Sequence, residues 1–451
     1  MTEARVPSGR LSPEELRSLV AAGSIETVLL AFVDMQGRLQ GKQLGAGYFL
    51  DDVLDHWAGA CSYLLSVEVE MEPQEGLSTS SWDTGHADFQ LLADVSTLRL
   101  AAWRPRTAIC LADPVWSAGQ PVAPSPRQIL RRQLERLADR GWRARAATEL
   151  EFIVNQESYA EARASGYRGL TPVSAYNMDY SLLGMRAAAP LLDRLVAEMP
   201  RSGLELESAK GEANLGQIEI NFRHSTPLEA ADGHSVFKHA VKEIATQEGL
   251  SATFMAKWDE REGNSCHLHL SLADADGPLF ARDEKLFESF LAGQLACMRE
   301  LALLLAPNVN SYKRFAGHSF APTAIAWGRD NRTCAVRVVG SDGSLRLENR
   351  APGGDVNPYI ALAAMIAAGL HGVEQGLEPG PALAGNAYDS QAPTMPAELG
   401  EALALFAESE VAARAFGEEV VGHYARAAEI ELEAYRAAVT DWERIRGYER
   451  L

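Results

Sequence analysis

The sequence predicts an α+β protein of two domains, a small β-rich one over residues 1–110 and a large one over residues 111–451. Three observations carry this. Short strand and turn signals follow one another to about Trp103. A stretch with Pro105, Pro114 and Ala118-Gly119-Gln120-Pro121 then reads as a linker. Beyond it strands and helices alternate irregularly up to Pro352, and the remaining C-terminal stretch is mostly helical.

The elements follow in order. Ser12-Pro13-Glu14-Glu15 is a capping box with proline at the first helical position, so a helix opens there. Ile25 to Val33 is apolar and β-branched, a strand broken by the turn Asp34-Met35-Gln36-Gly37, and a second strand passes through Leu39 and Leu44. Ser125-Pro126 starts an amphipathic helix from Arg127 to Arg140 that Gly141 ends. Helices are expected from Pro358 to Glu374, Pro396 to Glu408 and Val411 to Arg444. No repeat or low-complexity tract is visible.

Composition narrows the function. At 47% hydrophobic and 23% charged the chain reads as an ordinary globular protein. No apolar run approaches the roughly 18 residues that span a bilayer. The opening residues 1–16 lack a basic segment followed by an apolar stretch, so no signal peptide and a cytoplasmic location are expected. Cys61, Cys110, Cys266, Cys297 and Cys334 are scattered without metal or redox spacing and read as reduced core thiols. A net charge of -19 argues against nucleic-acid binding.

Four segments carry chemistry. In Glu149-Leu150-Glu151-Phe152 the glutamates share one face of a strand and the apolar residues the other. Gln217-Ile218-Glu219-Ile220-Asn221, His267-Leu268-His269-Leu270 and Arg346-Leu347-Glu348-Asn349-Arg350 repeat the arrangement. An antiparallel sheet with one wet face explains any one of them. Four together, with almost only Glu, His and Arg on the polar side, differ from the usual mixture of Thr, Ser, Lys and Tyr. Such a face repels itself unless cations neutralise it. Glutamate oxygens with an occasional histidine suit Mg²⁺ or Mn²⁺ rather than structural zinc, and the arginines suit phosphate and carboxylate. Metals plus arginines on one face suggest phosphoryl transfer.

At these residues the chain resembles the glutamine synthetase superfamily. Supporting segments are Phe32-Val33-Asp34-Met35-Gln36-Gly37, Glu149 to Phe152, Gly211-Glu212-Ala213-Asn214-Leu215-Gly216-Gln217-Ile218-Glu219 and His267 to Leu272. Asn310 to Arg314, Asn331-Arg332 with Arg337, and Glu348-Asn349-Arg350 to Tyr359 complete them. The resemblance implies a β-grasp-like N-terminal domain, a catalytic domain on a curved antiparallel sheet, and a dodecamer of two hexameric rings. It implies two or three Mg²⁺ or Mn²⁺ per site: Glu151, Glu212 and Glu219 for one, Glu149, His267 and Glu348 for the second. His269, Ser271, Arg332, Arg337 and Arg346 correspond to ATP contacts. Glu151, Gly263, Arg314, Arg332 and Arg350 correspond to L-glutamate contacts, with Arg332 and Arg350 also catalytic. Asp34 would enter the neighbouring subunit's site. The implied reaction is two-step: the γ-carboxylate attacks ATP to give γ-glutamyl phosphate, and an amine displaces phosphate.

Two departures bear on the amine. The family's flap glutamate belongs two residues before a proline; here Gly317-His318-Ser319-Phe320-Ala321-Pro322 puts Phe320 in its place. An aromatic ring accepts no proton, so it either packs on the carbon chain of a larger amine or marks a lost function. Glu262, before Gly263, replaces an expected asparagine. It either pairs with a cationic substrate or points elsewhere. With Asp34 these form the expected amine pocket. Phe320, Glu262, Trp82 to Asp88, Met255 to His267 and Val439 to Gly447 are similar to the branch that glutamylates organic amines, and within it to actinobacterial γ-glutamylethanolamide synthetases. Ethanolamine is the expected amine and polyamines the alternative. Tyr388 loosely matches the place where some bacterial relatives are adenylylated, and that regulation is not expected.

Three rivals remain. Guanidino kinases share the catalytic architecture but need neither six metal ligands nor Asp34. A non-catalytic ring protein should lose ligands, and none is missing. Phe320 speaks against an ammonia-using glutamine synthetase.

Overall fold

Ser12 opens the first helix, Pro13–Ala21, through the expected capping box with Glu15. The computed structural model describes residues 9–451; residues 1–8, part of the stretch behind the expectation of no signal peptide, lie outside the described residues. Next come β1 (Thr27–Val33) and β2 (Leu39–Gly45), joined by the Asp34 turn and paired antiparallel. With β3 (Ala58–Cys61), β4 (Asp88–Ala93), β5 (Arg99–Leu100) and β6 (Thr107–Val115) they make a six-stranded sheet, ordered β2-β1-β6-β4-β3 with β5 on β6. β1 and β6 run parallel at its centre.

All nine residues of β6 are buried, and the expected domain boundary at residue 110 falls inside this strand. Pro114, read as linker, is likewise part of it. β1 pairs only with the Thr107–Leu111 half, and β4 pairs with Ala112 to Val115, so the proline sits where one neighbour suffices.

The large sheet has nine strands: β7 (Arg143–Asn155), β8 (Leu206–Gly211), β9 (Gln217–Phe222), β10 (Ser251–Thr253), β11 (Cys266–Asp274), β12 (Gly277–Pro278), β13 (Trp327–Arg329), β14 (Val336–Val339) and β15 (Arg346–Asn349). The order is β13-β14-β15-β11-β7-β9-β8, antiparallel throughout this path except between β13 and β14. One face presents Leu150, Phe152, Ile218, Ile220, Leu268, Leu270 and Leu347, all without exposed surface. They join the main core with residues of the helices Pro227–Gln247 and Pro358–Gln375. The second of these helices is buried nearly all round, lying against Glu284–Cys297 and Pro126–Ala138.

The helix Pro126–Ala138 also fastens the two sheets together. Its Arg127 is buried and donates to Asp94, which follows β4, to Asp113 of β6 and to Asp232 of the helix Pro227–Gln247.

The C-terminal region corrects one expectation. The single helix read from Val411 to Arg444 is three: Glu410–Phe416, Glu418–Ala437 and Asp441–Gly447. Gly417, at φ +85°, breaks the first junction, and a capping box of Thr440 with Glu443 restarts the chain at the second. Among the described residues no helix is long and apolar enough to cross a membrane.

Candidate active site

Strand register turns the four alternating segments into one surface. Glu151 lies opposite Glu219, which lies opposite Lys210 on β8. Two residues along, Glu149 faces His267. His269 then faces Glu348, and Glu348 faces Arg337. The polar side of the strands is buried rather than wet: Glu151 is 6% exposed, Glu219 5%, His267 6% and Glu348 0%. Ionisable groups at that depth need partners.

The partners are one another. His269 Nε2 donates to Glu149 Oε1 (2.8 Å) and His267 Nδ1 to Glu149 Oε2 (3.1 Å). Arg346 Nε reaches the remaining nitrogen of His269 at 3.2 Å. Glu348 accepts from Arg337 (2.8 Å) and from Arg350, and lies 3.6 Å from His267 Nδ1. Arg337 also holds Asp330. His267 Nε2 is buried with no partner among the described residues.

Two triads offer ligand atoms within 4.8 Å of one another: Glu149, His267 and Glu348, and Glu151, Glu219 and His267. The first is the expected set for one metal. The second shares two residues with the other expected set, whose third member, Glu212, stands beside it paired to Lys210. Lys210 also lies 3.5 Å from Glu219 and over the Tyr180 ring.

Electrostatics separate the two triads. Burial, then repulsion from Glu212 and Glu219, pushes Glu151 up to about 8. Burial also works to raise Glu149, but hydrogen bonds from His267 and His269 outweigh it and hold that carboxylate well below its usual range. Glu348 is held low in the same way, its burial overcome by His267 and Arg350. Burial and then Arg350 lower His267. Carboxylates that crowd one another until one prefers a proton, around a neutral imidazole, suit a hard divalent cation.

Beside this face lie two buried arginines, Arg314 and Arg350. Arg314 is buried, donates to the carbonyls of Arg350 (3.1 Å), Ala351 and Pro352 (2.8 Å), and is lowered to about 10 by burial. Its Nε has no partner among the described residues. Gly263 borders it so closely that a Cβ there would lie 2.7 Å from Arg314 Cγ and 2.3 Å from the Ala256 carbonyl. Ser265 N and Gln217 Nε2 donate to Glu151 at 2.7 and 3.1 Å, and Gln217 also reaches the Gly263 carbonyl.

Other expected residues stand outside these contacts. Asp34 is buried in its own turn, accepting from Gln36 N, Arg38 N, Arg38 Nε and Gln40 Nε2. Arg332 is exposed on the turn after β13. Ser271 and Glu262 are half-buried, and Phe320 is 61% exposed.

Lys210, Gln217 and Ser265 escaped the sequence reading as site residues. Lys210 lies in β8 two residues before Glu212, which follows the strand's end, and that spacing is the one signal that pointed to it.

Residues 123–446 match the family model described as glutamine synthetase, catalytic domain. The chain is 56% identical over 445 residues to gamma-glutamylethanolamide synthetase GlnA4 of Streptomyces coelicolor, covering 98% of this chain and 96% of that protein. It is 38% identical to glutamate–isopropylamine ligase of a Pseudomonas species, over 95% and 96% of the two chains. Among solved structures, GmaS with ADP superposes at a TM-score of 0.84 with 28% identity, covering 96% of this chain and 99% of that one.

Proposed function

The chain belongs to the glutamine synthetase family, and on that premise we propose that it is an ATP-dependent ligase joining the γ-carboxylate of L-glutamate to a small organic amine, ethanolamine first. The observation that carries the chemistry is the convergence of two metal-ligand triads on His267, beside arginines that share Glu348. The amine assignment rests on two supports: Phe320 in the flap, and relatives whose names specify ethanolamide and isopropylamine products or substrates.

Glu149, His267 and Glu348 would hold one divalent ion, and Glu151 and Glu219 with Glu212 or His267 a second. When bound there, Mg²⁺ or Mn²⁺ would supply the positive charge that lets two anions approach. The chain's own groups do the rest. Arg337 and His269, which stand opposite Glu348 on the flanking strands, and Arg346, which reaches His269, would orient the ATP phosphates through planar, charge-assisted contacts. Arg314, bordered by Gly263, would take the α-carboxylate of glutamate. Arg350 and Arg332 would hold the γ-carboxylate as it attacks the terminal phosphorus and ADP leaves. The amine, arriving without its extra proton, then attacks the acyl carbon and phosphate departs. Asp34 is assigned to the neighbouring subunit's site in a cytoplasmic dodecamer. The proposed domain division is residues 1–110 and 111–451, the two meeting within β6.

Phosphate release with ATP, glutamate and Mg²⁺, compared across ethanolamine, putrescine, spermidine and ammonium, tests the reading. Ethanolamine should give the largest kcat/KM. A preference for polyamines would move the substrate and keep the mechanism, ammonium matching the best amine would remove the role given to Phe320, and no turnover with any would favour a non-catalytic ring protein.

A further inference from the structure

The flap carrying Phe320 is held in a conformation it would not adopt alone. His318 has φ +62° and Phe320 φ +57°, the left-handed region that bulky residues avoid unless neighbours hold them there. Tyr388 and Arg350 both reach the flap from outside it. The Tyr388 hydroxyl donates to the Ala321 carbonyl at 3.0 Å, and the Tyr388 ring stands 5.3 Å from that of His318. Arg350 Nη2 reaches the Phe320 carbonyl at 3.5 Å.

Tyr388 is itself bolted down. Asn386 caps its turn, accepting from Tyr388 N (3.2 Å) and donating to Asp389 (2.7 Å). Ala387 N donates to Thr333 Oγ1 (2.9 Å), whose hydroxyl donates to Asn331 Oδ1 (2.7 Å). Asn331 and Thr333 flank Arg332. The Tyr388 turn thus joins the flap to the turn that carries Arg332, while Arg350 joins the flap to Glu348.

We propose that Tyr388 is a positioning residue that holds the flap, so that Phe320 is set over the amine side of the site in register with Arg332 and Arg350. Its hydroxyl orders the flap and touches no substrate. The consequence for the amine rests on the ligase reading above; the ordering of the flap does not. Removing the hydroxyl while keeping the ring releases the Ala321 carbonyl and lets His318 and Phe320 relax toward ordinary φ values.

The test is Tyr388→Phe in the full-length protein, read in two ways. Hydrogen exchange across residues 316–322 should quicken about five- to tenfold, the factor a net hydrogen bond of ordinary strength represents. In steady-state phosphate release, the KM for ethanolamine should rise by a similar factor while those for ATP and glutamate stay within about twofold. Tyr388→Ala, which also removes the ring from His318, should do more of both. Unchanged exchange in Tyr388→Phe would overturn the proposal. Faster exchange with all three KM values rising together would reduce Tyr388 to a structural role. A wild type that releases no phosphate with any amine would defeat the ligase reading, and the exchange data would still judge the flap.

Discussion

Glu348 has no exposed surface and accepts from Arg337 and Arg350 with His267 close by. Glu348→Gln keeps the shape and removes the charge that three cationic or metal-binding neighbours share. Phosphate release should fall by about 10²–10³ in kcat, comparable to deleting one preorganised electrostatic contact, while circular dichroism stays that of the wild type. Retained activity would remove Glu348 from the catalytic set. At the flap, Phe320→Glu places a proton acceptor where the ring now faces solvent. The ammonium kcat/KM should rise about 10²-fold relative to that for ethanolamine, the lower end of what a positioned proton acceptor contributes. No gain would show that the flap does not select the amine.

Among elements, the helix Glu418–Ala437 carries a buried imidazole, His423. His423 Nδ1 accepts from Ser78 N (3.1 Å) and Nε2 donates to the Leu65 carbonyl (2.8 Å), so the neutral ring joins the helix to two N-terminal segments. Burial lowers its pKa from 6.5 to about 4. The unfolded chain therefore takes the proton first on acidification. The stability His423 contributes is full above pH 6.5 and is lost as pH falls through about 4, amounting to about 3 kcal/mol across that window. Thermal midpoints should drop between pH 6.5 and 4, and His423→Gln should flatten that drop while lowering the midpoint at pH 7. Parallel pH curves for the two proteins would assign the acid sensitivity elsewhere.

At the scale of the molecule, Arg127 and its three aspartates hold the two sheets in one body. Their side chains are nearly or largely buried. Arg127→Met leaves Asp94, Asp113 and Asp232 without their main counter-ion, although Arg131 still reaches two of them. Loss of one partner from a buried charge network costs about 3–5 kcal/mol, which a shift in the denaturant midpoint at unchanged slope would register. The carboxylate face gives a second global handle. Mg²⁺ at about 100 times its Kd should stabilise the wild type by about 2.7 kcal/mol. A Glu151→Gln, Glu219→Gln double variant should lose much of that gain in differential scanning calorimetry. An undiminished gain would place the stabilising ion elsewhere.

Much of this was legible before any coordinates. Alternation of apolar with Glu, His or Arg residues marked four strands and the side each group takes, because a side-chain period of two is a local property of extended chain. The capping box at Ser12 and the Ser125-Pro126 start announced helices for the same local reason. The helix read through Gly417 shows the limit of periodicity, since Thr440 and Glu443 cap locally and were still overlooked inside a long apolar repeat.

What alternation could not supply is what stands opposite. That Glu151 faces Glu219 and then Lys210, that His267 faces Glu149, and that Arg127 gathers three aspartates from distant segments are facts of register and packing between residues far apart in the chain. Burial is decided there too. A strand reads as half-polar whether its polar side meets water or a sealed cluster, and only the assembled sheet put Glu348 and Glu151 out of reach of solvent, where their charges must be shared. The sequence by itself determined the kinds of chemical group and the strand faces that carry them; the tertiary structure decided their partners, because Coulomb and hydrogen-bond energies depend on distances that chain order does not contain.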